Sequence, residues 1–242
     1  MSYTDNNIFN VYDTNLISQE LFQEVVLLPY QFTRTDNVPT IDNPNLELDG
    51  MYWTHQLYNF TPIDDPEYYQ NAGIGGSNNK LYLDILTYLE AKIPDLPPRD
   101  HLYSSYINVL RYGNSPGIHV DAPYYVPENK TVLVYLNPVW QPDWGGETIF
   151  FDDDLDSKRL VQPRAGRVVL FDGRIPHTGT TGNIRFLYNR YVLTYKYMQP
   201  DIRQKLFTDY EMTNKPPVED RNIVGFDPNT VKTIWEKMCY VK

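Results

Sequence analysis

The sequence predicts a mainly β protein. From residue 103 the chain breaks into short runs rich in Val, Leu, Tyr and Phe, bounded by Gly, Pro and Asp. Runs of that kind at close spacing read as a sandwich or barrel. The chain also carries 21 tyrosines in 242 residues, and aromatic side chains suit a half-buried pleated surface. Helical periodicity is confined to three segments outside this region.

Residues 7–12 read as a short strand. Residues 16–28 read as an amphipathic helix, with Leu21, Phe22, Val25 and Val26 sharing a face. Residues 38–79 are rich in Pro, Asn and Gly and read as loops, with short strands around Tyr52, Trp53, Thr54 and His55. A second helix over 80–93 collects Tyr82, Ile85, Leu86, Leu89 and Ile93 on one side. Strands follow at 103–112, 118–120, 131–137, 147–151, 159–162, 167–172 and 189–198. Asp227 as N-cap and Pro228 at the first helical position start a last helix over 228–239. The reading is one domain, 1–242. Residues 1–100 support a β core at 103–198, and 199–242 form a C-terminal extension with a helix.

Composition excludes several functions. A net charge of −10 disfavours a general affinity for nucleic acid or anionic membrane. A single cysteine, Cys239, excludes an intrachain disulfide framework. The opening residues lack the basic and apolar regions of a signal peptide, and no run of about 18 apolar residues is present. The expectation is a cytoplasmic protein, with the sequons at Asn59 and Asn129 as chance matches.

The chemistry concentrates in a few residues. His119 and Asp121 form an H-x-D pair, His177 follows 58 positions later, and Arg190 comes 13 after that. Side chains on a strand alternate faces, so His119 and Asp121 project the same way and His177 can arrive from a neighbouring strand. Two imidazoles and a carboxylate suit Fe(II) and leave coordination positions open. A closed structural zinc site needs a fourth protein ligand, and the sequence offers none.

These residues sit among six segments in a fixed order. They are Asn108–Gly113, His119–Pro123, Val132–Pro138, Gly145–Phe151, Pro163–Asp172 and, after Pro176 and His177, Arg190–Tyr197. In this order they resemble the catalytic core of the 2-oxoglutarate/Fe(II)-dependent dioxygenase superfamily, in its prolyl-4-hydroxylase-like branch. The resemblance implies a double-stranded β-helix (jelly-roll, cupin-like) core backed by the N-terminal helices. It implies Fe(II) on His119, Asp121 and His177, with 2-oxoglutarate and O2 as cosubstrates and ascorbate as a supporting reductant. The reaction so implied hydroxylates an unactivated C–H bond and releases succinate and CO2. Related halogenases lack the carboxylate that Asp121 supplies.

The family places a basic residue about 9 to 10 positions after the second histidine to hold the distal carboxylate of 2-oxoglutarate. Arg185 and Arg190 both depart from that spacing. The β text after Arg190 favours it, because a guanidinium fork matches a carboxylate. Tyr135 aligns with a tyrosine on the same carboxylate, and Tyr112 with one near the metal-binding end. Thr194 and Asn137 are candidate supports. Trp53, Tyr124, Tyr125 and Arg174 are candidate substrate contacts, since loops on a rigid scaffold commonly carry recognition. The substrate class implied is an amino acid, a peptidyl residue or a small metabolite. A non-catalytic jelly-roll binding protein and a cupin enzyme of another reaction type remain alternatives.

Overall fold

Two antiparallel sheets, with helices packed on the larger one, dominate the described part of the molecule. The computed structural model describes residues 2–5, 9–33, 52–59, 80–114, 116–122, 126, 128–152, 155, 158–184 and 188–204. The expected C-terminal helix at 228–239 and most of the 38–79 loop lie outside these residues, as do Tyr124, Tyr125 and Arg185.

The elements run β1 (Ser2–Asp5), β2 (Phe9–Asp13), α1 (Gln19–Val26), β3 (Gln31–Thr33), β4 (Tyr52–Asn59) and α2 (Lys80–Glu90). They continue with β5 (Leu102–Leu110), β6 (Lys130–Tyr135), β7 (Thr148–Phe151), β8 (Lys158–Val161), β9 (Arg167–Asp172), β10 (His177–Gly179) and β11 (Arg190–Tyr197). The major sheet has the order β1-β2-β9-β6-β11-β5-β4-β3, and the minor sheet β10-β7-β8. Every pairing is antiparallel. Strands adjacent in space are mostly distant in sequence, as in a jelly-roll.

Period-two alternation divides the major sheet into two faces. Val132 and Val134 of β6, with Ile107 and Val109 of β5 and Leu193 and Tyr195 of β11, join the helices in one core. Helix α2 contributes Leu81, Tyr82, Ile85, Leu86 and Leu89 to it. The opposite faces of β6, β9 and β11 present Leu133, Tyr135, Val169, Phe171 and Val192 to Phe150 and Val161 of the minor sheet. Both faces are covered, which explains why these strands read as nearly unbroken apolar runs. Val169 and Phe150 are fully buried. Truncating such a side chain costs about 2–5 kcal/mol.

Helix α1 is shorter than the periodicity suggests. Ser18 caps it by accepting from the backbone N–H of Leu21, which satisfies one of the amides that a helix start leaves open. Val25 is buried but Val26 is 42 % exposed, so the apolar face is narrower than expected. The expected strand at 118–120 reduces to a single bridge between His119 and His177. Asn129 is completely buried, which removes its sequon as an acceptor site.

Candidate metal centre

His119, Asp121 and His177 converge because three backbone contacts pin the two segments together. The N–H of His119 donates to the carbonyl of His177 at 2.9 Å, and the reverse bond has the same length. The N–H of Asp121 donates to the carbonyl of Gly173 at 2.7 Å. One atom from each side chain then lies within 4.8 Å of the others. Asp121 Oδ1 is 3.7 Å from His119 Nε2, and Oδ2 is 3.5 Å from His177 Nε2.

Each imidazole is oriented from behind. His119 Nδ1 donates to the carbonyl of Gly117 at 3.0 Å, and His177 Nδ1 to that of Ile175 at 2.9 Å. Carbonyls only accept, so Nδ1 carries a proton in each ring and Nε2 is the atom left to face the centre. The His177 ring is wedged against Phe171 and Phe150, at centroid separations of 4.7 and 5.9 Å. Burial lowers its pKa from 6.5 to about 4, although Asp121 opposes the shift. A neutral imidazole is the form a metal needs.

That shift has a consequence for stability. The unfolded chain takes up the His177 proton near pH 6.5 and the folded protein only near pH 4. Between these values the unfolded state holds more protons, so stability falls with falling pH. Thermal melts of metal-free protein from pH 7 to pH 4 should show this loss. His177→Gln should flatten it, and an equally steep profile in that variant would place the cause elsewhere.

Asp121 is held at both oxygens. Thr131 donates its hydroxyl to Oδ2 at 2.7 Å, and the Lys196 ammonium lies 2.8 Å from Oδ1. Burial alone would raise the carboxyl's pKa, but Lys196, His177 and His119 together reverse this and hold it below the usual carboxylate range. For Lys196, burial works to lower the pKa, and Asp121 with the phenols of Tyr106 and Tyr103 raises it well above the ordinary value.

The three candidate ligands border a cavity of about 250 Å³, which Asn108, Arg190 and Lys196 also line. Arg190 is 3 % exposed. Its Nε donates to the carbonyl of Gly146 at 2.6 Å and its Nη2 to Thr148 Oγ1 at 2.9 Å. Its guanidinium lies over the Tyr135 ring, 5.3 Å from the centroid. Gly146 has φ +82°, and a Cβ there would run into the Trp140 ring, so only glycine presents that carbonyl. No carboxylate of the described residues forms an ion pair with Arg190. Glu147 acts on it only at longer range, so a buried guanidinium bordering a cavity has the chemistry to take an anion.

The other sequence candidates divide. Tyr135 is buried beneath Arg190 and donates its hydroxyl to Thr148 at 2.7 Å; Thr148 lines the cavity, and Tyr135 does not. Thr194 lines it as expected. Asn137 bridges to the backbone of Tyr191 and Asn189 and fixes the start of β11. The structure does not bring Tyr112 to the cavity. Strand β5 ends at Leu110, the chain turns over Arg111–Asn114, and Tyr112 is left 64 % exposed. Arg174 faces outward in a two-pronged pair with Asp172. Trp53 packs on the helical side beneath Arg111, and its neighbour Tyr52 lines the cavity instead.

Lys196, Asn108, Thr131, Tyr106 and Tyr52 were not among the sequence candidates. Parity could have found Lys196, since positions 190, 192, 194 and 196 share a strand face.

Residues 107–197 match the model of the 2OG-Fe(II) oxygenase superfamily. The match spans this region of the chain, so the region is similar to that superfamily. That similarity implies Fe(II), 2-oxoglutarate and O2, and the donor set fits: two imidazole nitrogens and one carboxylate converge on one point. Among solved structures the chain is similar to a prolyl-4-hydroxylase from Pseudomonas putida, with 16% identity and a TM-score of 0.45, over 79% of this chain and 92% of that one. A prolyl hydroxylase from Trichoplax adhaerens, solved with a hypoxia inducible factor peptide fragment, matches at 17% identity and TM-score 0.48 over 83% and 87%. HygX from Streptomyces hygroscopicus, solved with nickel and 2-oxoglutarate bound, matches at 13% identity and TM-score 0.44 over 81% and 84%. No curated protein matches the chain significantly.

Proposed function

We propose that this protein hydroxylates an unactivated C–H bond of an amino acid, a peptidyl residue or a small metabolite. His119, Asp121 and His177 are the iron ligands in this reading, and Arg190 anchors the distal carboxylate of 2-oxoglutarate. The observation that carries it is one cavity with a His-Asp-His set and a buried arginine that has no carboxylate partner among the described residues. When bound, the iron supplies the oxidising chemistry and the decarboxylation of 2-oxoglutarate to succinate and CO2.

The chain's own residues do the rest. Gly117 and Ile175 fix the imidazole tautomers, and Thr131 holds one oxygen of Asp121. Tyr135, through Thr148, keeps the Arg190 fork in place. His119 is the more open imidazole, with a side chain 36 % exposed against 5 % for His177, so the substrate approaches from its side. Tyr52 lines the cavity and is positioned to contact the substrate; Tyr124 and Tyr125 are candidates for the same role on sequence grounds. A nucleic-acid substrate is disfavoured by the net charge of −10.

Anaerobic titration of Fe(II)-loaded protein with 2-oxoglutarate tests the metal and cosubstrate roles. A weak visible charge-transfer band signals bidentate chelation at an open iron, and its absence would count against the reading. A screen of amino acids, peptides, metabolites and oligonucleotides for stimulated succinate release then identifies the substrate. Stimulation confined to oligonucleotides would overturn the proposed class.

A further inference from the structure

The cavity contains more positive charge than the anchoring of one carboxylate requires. Arg190 and Lys196 both line it, and Asp121 is the sole acid among the described residues that do. The Lys196 ammonium lies 2.8 Å from Asp121 Oδ1. The acid a divalent ion would use is therefore already neutralised by the protein. Lys196 has little room to withdraw. It packs over the Tyr106 ring at 5.5 Å, and its side chain is 17 % exposed. A cation bound by Asp121 shares a carboxylate with that ammonium and is repelled by it. Like charges a few ångströms apart, outside bulk water, repel strongly.

The opposite holds once a dicarboxylate arrives. Two negative charges entering a space that contains Arg190, Lys196 and a divalent ion offset the repulsion among all three. Lys196 then attracts the ligand that the metal also attracts.

We propose that Lys196 couples the two binding events, so that a divalent metal is held tightly only together with an anionic chelator. This rests on the metal and cosubstrate reading above. Coupling of this kind is reciprocal: whatever factor 2-oxoglutarate adds to metal affinity, the metal adds to 2-oxoglutarate affinity. Lys196 is a positioning residue in this account, acting through Asp121 and through the cavity's charge.

The test is a linkage measurement and needs no turnover. Mn2+ binding to the metal-free protein is measured under argon by electron paramagnetic resonance, with and without saturating 2-oxoglutarate. The wild type should bind Mn2+ weakly alone and about tenfold or more tighter with 2-oxoglutarate. In Lys196→Met, Mn2+ alone should bind tighter than in the wild type, and the 2-oxoglutarate effect should shrink by a similar factor. Lys196→Gln, whose amide can still donate to Asp121, gives the same result if charge is the cause and covers a folding failure of the methionine variant. Lys196→Arg should retain the coupling.

A neutral variant that folds, binds Mn2+ no tighter and keeps the full 2-oxoglutarate effect overturns the proposal and leaves the metal site standing. Failure of the wild type to bind Mn2+ under either condition sinks the metal reading and the coupling with it.

Discussion

Alanine at His119, Asp121 or His177 is expected to abolish 2-oxoglutarate turnover, but the three variants should differ in stability. Each removes one of three ligands. The loss should exceed the roughly 10–100-fold that follows removal of a group merely supporting a ligand. His119 has a half-open side chain, so His119→Ala should fold and melt much like the parent. Asp121→Ala should not. It leaves the Lys196 ammonium without its carboxylate. Breaking a buried ion pair from one side costs about 3–5 kcal/mol. The lower end or less applies here, because Lys196 keeps 17 % exposure and borders the cavity. Asp121→Ala combined with Lys196→Met should then recover much of the melting temperature while remaining inactive. Thermal melts and succinate release on all four proteins check this. A double variant as unstable as Asp121→Ala alone would show that the pair does not carry the loss. Undiminished turnover in any single variant would remove that residue from the site.

Arg190→Ala should raise the apparent KM for 2-oxoglutarate far more than Arg185→Ala. Loss of a charge-assisted, two-pronged contact in a desolvated site costs about 2–5 kcal/mol, which corresponds to about 30-fold or more in KM. Arg190 lies between Gly146 and Thr148 with its guanidinium over Tyr135, so lysine cannot reproduce the fork and Arg190→Lys should recover only part of the affinity. Initial rates against 2-oxoglutarate concentration decide the matter. Should Arg185→Ala cause the larger rise, Arg185 is the anchor and Arg190 supports the fold.

Much of this architecture was legible in the sequence because alternation and turn chemistry are local signals. The seven β runs expected after residue 103 correspond to six strands, with small shifts at their ends, and to one bridge. Strand β10 went unread because three residues are too few to show a period. The His-Asp-His set was legible through the six ordered segments around it, since an H-x-D pair alone occurs by chance. Lys196 was hidden for a different reason. Its meaning depends on Asp121, 75 positions away in the chain, and an isolated lysine near the end of an apolar strand reads as a solvated end. Tyr52 and Trp53 show another limit. Both are aromatic, and which one reaches the cavity is set by the pairing of β4 with β5, where Trp53 faces Val109. That register is a tertiary fact. Tyr112 looked like a continuation of β5, but Asn114 closes a turn back onto Arg111.

The two faces of β11 also bear on how such a site tolerates change. Arg190, Val192, Thr194 and Lys196 line the cavity, while Tyr191, Leu193, Tyr195 and Tyr197 belong to the helical core. What aims Arg190 is the pairing of β11 with β5 and β6, not its chain distance from His177. A change in the length of the connection between them therefore need not move the arginine. A single residue inserted within β11 has the opposite effect: it would turn Tyr191 toward the cavity and Arg190 into the core. Length variation among descendants of this chain should thus accumulate before residue 190 and stop there. A designer seeking new chemistry can vary Thr194 among the even positions, since Val192 packs against the minor sheet and the odd positions hold the helical core.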